Sequence, residues 1–96
     1  MNSVPFTIGG IPYSQSDYGI EIDERDEYHA WFGTLTSGPQ QSRLAAIEWL
    51  VQEIRKALEK EYFDKKHAVD RKRWTAELDE ALREAVDEDL NQGMGH

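Results

Sequence analysis

Glu77, Glu80, Glu84 and Asp87 recur every three or four residues near the end of the chain, with Glu88 beside the last. On a helix that spacing stacks the carboxylates in one row, about 5 Å apart along the axis. Fixed negative charge at that pitch can imitate phosphates and occupy a basic groove on a partner. A plainly solvated helix face would look the same, because exposed charged faces are the norm for amphipathic helices. Neighbouring like charges weaken a helix slightly, and acids close to its C-terminus oppose its dipole. Arg71, Lys72 and Arg73 near the start of the same segment oppose it too.

A second cluster is basic. Lys65-Lys66-His67 and Arg71-Lys72-Arg73-Trp74 would gather at one tip, where cations could hold phosphates and Trp74 could stack on a base. Trp74 also falls in register with an apolar stripe, which predicts a core residue instead. Tyr13, Trp31 and Trp49 lie off the tidy apolar seams and form a third set. Exposed aromatics of this kind serve protein interfaces, and they serve folding equally well in a small core.

Other chemistry finds little support. His29, His67 and His96 are far apart and form no HExxH pair. Gly9-Gly10 is followed by Ile11 rather than by the lysine-bearing helix of a phosphate loop. A calcium loop starting at Asp17 needs an oxygen ligand at its third position and a glutamate at its twelfth, where Gly19 and Tyr28 stand. Cysteine is absent, which excludes disulfides, thiolate catalysis and Cys-ligated metal. The expectation is a non-enzymatic protein with no metal and no cofactor.

Breakers show which elements must carry these residues. No glycine or proline occurs between Gln40 and Gln92, while all three prolines and five of seven glycines lie in the first 39 residues. The front is therefore strand- and turn-rich and the back helical. Tyr18, Ile20 and Ile22 alternate with polar residues. Asp23-Glu24-Arg25-Asp26-Glu27 turns the chain, and Tyr28, Ala30 and Phe32 alternate on the return, with Trp31 on the opposite side. This predicts a hairpin over about 18–35, closed by Thr36-Ser37-Gly38-Pro39. A shorter edge hairpin or arm is expected around Gly9-Gly10.

Leu44, Ile47, Leu50, Val51, Ile54 and Leu58 predict a helix from Pro39 or Gln40 into the sixties, with Tyr62 and Phe63 extending its stripe. Trp74, Leu78, Ala81, Leu82, Ala85 and Val86 predict another over roughly Asp70–Leu90. The two stripes are out of phase, so an αα-hairpin should turn near Asp64–Asp70, with Asp64 or Asp70 as N-cap. The fold class is α+β: a small antiparallel sheet covered by an αα-hairpin. One small domain spans 1–96, divided into 1–39, the two helices of 40–91, and a flexible tail at 92–96.

The net charge of −8 disfavours direct contact with nucleic acid or an anionic membrane. It is distributed acidic, basic, acidic along the chain. No basic and apolar leader opens the sequence, and no apolar run approaches the roughly 18 residues of a membrane span, so a cytoplasmic setting is expected. In size, acidity and lack of catalytic motifs, the chain is similar to small phage- and plasmid-borne inhibitors, anti-CRISPR and DNA-mimic proteins among them. That likeness lies in composition and coarse architecture rather than in a motif. It implies an acidic inhibitor that covers the basic surface of a protein or nucleoprotein partner. Two alternatives stand beside it: a nucleic-acid-contacting accessory protein using the 65–73 tip, and a helix-mediated homodimeric adaptor. The last follows from the wide apolar face of the first helix, which is expected to exceed what one hairpin covers.

Overall fold

A computed structural model describes residues 2–94. Strands β1 (Asn2–Val4), β2 (Tyr18–Ile22), β3 (Tyr28–Phe32) and β4 (Leu35–Gln40) form one antiparallel sheet in that spatial order. Helix α1 (Arg43–Glu61) follows. A single 3-10 turn (Lys65–His67) then leads into helix α2 (Ala68–Met94). The fold class expected from the sequence is the one observed. The molecule measures 47 × 29 × 16 Å between Cα extremes, so its thin dimension holds two layers at the usual spacing of about 10 Å.

The sheet follows the period of two. Tyr18 faces Phe32, Ile20 faces Ala30 and Ile22 faces Tyr28, which sets the alternating apolar residues of both strands on the side of α1. Glu21 faces His29 and Gly19 faces Trp31 on the other side. A Cβ on Gly19 would lie 2.8 Å from Trp31 Nε1, so the indole rests directly on the glycine backbone. Asp23 organises the β2–β3 turn by accepting from the backbone N–H groups of Arg25 (2.8 Å) and Glu27 (3.0 Å) and by bonding His29 Nε2 at 2.7 Å.

Three boundaries differ from the sequence expectation. Thr36-Ser37-Gly38-Pro39 is not a closing turn but the body of strand β4; Gly33-Thr34 makes the turn instead. The strand tolerates its breakers because it is an edge. Its register shifts opposite Ala30, where Gly38 takes φ +69. There the Ser37 hydroxyl accepts from the Ala30 N–H at 3.0 Å and donates to the Gly38 carbonyl at 2.7 Å. Gly9-Gly10 makes a turn but no hairpin, because β1 pairs with β2 and the loop between them is drawn inward. Its anchor is buried Ile8, whose N–H donates to the Tyr18 hydroxyl at 2.8 Å. Helix α1 starts at Arg43 rather than at Pro39 or Gln40, because the Ser42 hydroxyl caps it by accepting from the Ala45 N–H at 3.1 Å.

Helix α1 lies on β3, β4 and β2, while α2 packs beside α1 and, among the described residues, brings no Cα within 8 Å of any strand. Instead α2 covers the β1–β2 loop, with Glu77 over Gly10. Ile47, Leu50, Val51, Ile54 and Leu58 of α1 share one core with Trp74, Leu78 and Ala85 of α2, and with Ile8, Tyr18, Ile20 and Ala30. The wide apolar face of α1 is thus covered within a single chain, which removes the reason the sequence offered for a homodimer. Helix α2 begins at Ala68, and neither expected aspartate caps it through its side chain. Asp64 precedes the 3-10 turn without a side-chain cap bond, and Asp70 lies within the first turn of α2. Residues 92–94, expected in a tail, continue α2; residues 95 and 96 lie outside the described residues.

Candidate functional site

The carboxylate row sits on a 27-residue helix that outlasts its 19-residue neighbour. Arg43, the first residue of α1, meets Glu88 at 2.9 Å, so the last residues of α2 project beyond α1. Arg43 also donates to the Pro5 carbonyl at 3.4 Å and stacks over the Phe6 ring at 5.9 Å. Together with Glu84, Ala81 and Thr7, these residues line a cavity of about 300 Å³. Glu80 pairs with Arg83 one turn on. Asp79 reaches across to Arg55 of the facing helix α1 at 2.6 Å. Glu77, Glu84 and Asp87 have no ion-pair partner among the described residues. The five predicted acids therefore share one helix but divide into two with intramolecular counter-ions and three without.

The basic cluster divides more sharply. Arg71 is half-buried, and its Nη1 donates to the carbonyl of Tyr62 and, at 2.8 Å, to that of Asp64. It closes the C-terminal end of α1, where carbonyls have no helical partner. Arg73 pairs with Asp70 at 3.1 Å. Lys65, Lys66 and Lys72 are exposed, with no ion pair among the described residues. Trp74 is only 7% exposed and packs edge-on against Tyr62, which also packs edge-on against His67. It is core, as its register implied, and offers no base-stacking face. Sequence reasoning missed the aromatic that is free. Phe63, expected to extend the α1 stripe, is 72% exposed because the helix ends two residues earlier.

The aromatic set is not brought together. Trp31 lies on the uncovered face of the sheet, and Trp49 lies on α1, on the flank that also carries Glu53, Lys56 and Lys60. Tyr13 packs edge-on against Phe32 at 5.0 Å and donates to Glu61 Oε2 at 2.8 Å. All three are half-buried. Burial, followed by the Glu61 bond, raises the Tyr13 pKa well above the ordinary tyrosine value, so the hydroxyl keeps its proton. Asp23 titrates below the usual carboxylate range, chiefly through His29 and then through the Glu27 amide.

Among the described residues, no three His, Asp or Glu side chains are grouped so as to hold a metal ion, and no helix is long and apolar enough to cross a membrane. No protein-family model, curated protein or solved structure matches this chain.

Proposed function

We propose that the protein is a non-enzymatic acidic interaction module that binds a basic surface on a protein or nucleoprotein partner and blocks it. In this reading it works in the cytoplasm, as phage- and plasmid-borne inhibitors do. The observation that supports it is the set Glu77, Glu84 and Asp87, which lack counter-ions among the described residues on a helix projecting past its neighbour. Such charge attracts a basic partner before contact and raises the association rate more than the final affinity. The test begins with partners recovered from the native host. Glu77→Gln with Glu84→Gln should leave the melting temperature unchanged and slow association several-fold, with a shallower salt dependence. Wild-type kinetics in that variant, or partners that present no basic surface, would remove the proposal.

A second reading rests on Phe63. Its exposed ring stands beside the 65–72 segment, where Lys65, Lys66 and Lys72 have no ion pair among the described residues. Cations with a free aromatic suit single-stranded nucleic acid. If this holds, a single-stranded oligonucleotide binds at low salt, binding falls steeply as salt rises, and Phe63→Ala weakens it. Absence of binding at low salt would dispose of it.

A further inference from the structure

The outward side of α2 carries a repeat that packing within one chain does not use. Val69, Ala76, Arg83 and Leu90 stand seven residues apart and all are exposed, Val69 at 79% and Leu90 at 57%. Lys72, Glu80 and Asp87 occupy intermediate positions on the same side and are exposed as well. Seven residues make close to two helical turns. These seven side chains therefore form one stripe, on the side of the helix away from Trp74, Leu78 and Ala85. Along it the charge changes from Lys72 near the beginning to Asp87 near the end.

We propose that this stripe recognises a second copy of the chain, the two α2 helices pairing antiparallel about a two-fold axis between Asp79 and Glu80. That axis sets Val69 against Leu90 of the second copy, Lys72 against its Asp87, and Ala76 against its Arg83. Each contact occurs twice, as an isologous interface requires. The Ala76 methyl leaves room for the guanidinium, which then lies one turn from Glu80 of the second copy. A parallel pair would set Lys72 on Lys72 and Asp87 on Asp87. Apart from Glu80, which meets its own copy at the axis one turn from Arg83, the charge order that opposes the dipole of α2 is thus complementary to itself reversed. The sheet edges are poorly suited to pairing with a second copy. The β4 edge is bulged and contains Pro39, and β1 is three residues long.

The inference goes beyond the basic-partner reading and does not rest on it. The two-fold axis runs perpendicular to both helices, so Glu77 and Glu84 of the two copies flank the seam on the same side. Sedimentation and light scattering on four samples provide the test: wild type, Lys72→Asp, Asp87→Lys, and the two variants mixed in equal amounts. Wild type at millimolar concentration should reach twice the 11.1 kDa chain mass. Each variant alone places like charges together twice and should associate at least tenfold more weakly, remaining at the chain mass, while circular dichroism shows an unchanged fold. The mixture should recover the doubled mass, because both contacts in a mixed pair regain opposite charges. Wild type at the chain mass throughout, single variants that dimerise like wild type, or a mixture that stays monomeric would each overturn the proposal.

Discussion

Arg71 separates structural cations from available ones, and replacing it has a calculable effect. Helix α1 ends at Glu61, and the Tyr62 carbonyl beyond it has no helical donor. The Arg71 guanidinium donates to that carbonyl from a half-buried position, and to the exposed Asp64 carbonyl at 2.8 Å. A net bond from a charged group contributes about 1.5–3 kcal/mol, whereas an exposed carbonyl can take water instead. Arg71→Ala should therefore cost about 2 kcal/mol. For a domain of this size that lowers the melting temperature by roughly 8–16 °C. Lys66→Ala removes the same charge from the same tip but no bond, and should stay within about 0.5 kcal/mol of wild type. Arg71→Lys should recover only part of the loss, since an ammonium cannot reproduce the planar fork. Urea unfolding followed by circular dichroism reads the difference as a shift in midpoint at constant slope. Equal midpoints for Arg71→Ala and Lys66→Ala would refute the reasoning and return Arg71 to the cations free for a partner.

Gly19→Ala forces the Trp31 indole off the sheet, so we expect a loss of about 1–3 kcal/mol and a red-shifted tryptophan emission. Ser37→Ala leaves the Ala30 N–H without its acceptor at the bulge; it should cost about 1–3 kcal/mol and speed hydrogen exchange at Ala30. Because His29 and two backbone amides lower the Asp23 pKa, its ionised form stabilises the fold above the ordinary value of 3.8, and that contribution is lost as pH falls through the lowered value. Asp23→Asn should accordingly flatten the decline of melting temperature below about pH 4.

The parts of the fold visible in the sequence are those built from a local period. Tyr18, Ile20 and Ile22 alternate, as do Tyr28, Ala30 and Phe32, and they pair across the hairpin as the alternation implies. The stripes of α1 and α2, including their change of phase, reappear as one shared core. Strand β4 was hidden because Gly38 and Pro39 signal a turn. What rescues them is an edge position and the Ser37 hydroxyl, and neither leaves a local pattern. The β1–β2 loop was hidden for a similar reason, since its anchor joins Ile8 to a hydroxyl ten residues away. At the site, the acidic row and basic tip were legible as charge on α2 and on the turn before it. Their counter-ions were not, because Arg43 meets Glu88 across 45 residues and Arg55 meets Asp79 across 24.

The charge order of α2 contributes little to folding. Exposed ion pairs such as Arg43–Glu88 and Arg55–Asp79 contribute at most about 1 kcal/mol each. A fully buried leucine side chain such as that of Leu78 contributes about 1.5–3 kcal/mol by itself, and Trp74 and Ala85 add to it. Packing on the buried side therefore holds the helix whatever its exposed residues are. Glutamines at Glu77 and Glu84 would relieve repulsion at no cost to that core, and acids at the start with bases at the end would satisfy the dipole. The observed order does neither, which is the motive for proposing a second copy and a basic partner. In those proposals a reversed second copy uses Lys72 and Asp87 on the outward stripe, and a basic partner uses Glu77 and Glu84 on the flank. Of the three acids without counter-ions among the described residues, only Asp87 belongs to both surfaces. Neutralising the flank should therefore leave self-association intact, and reversing Lys72 should leave attraction to a basic surface intact. If either change abolished both properties, the two surfaces would be one, and the division of α2 into an outward stripe and an acidic flank would be wrong.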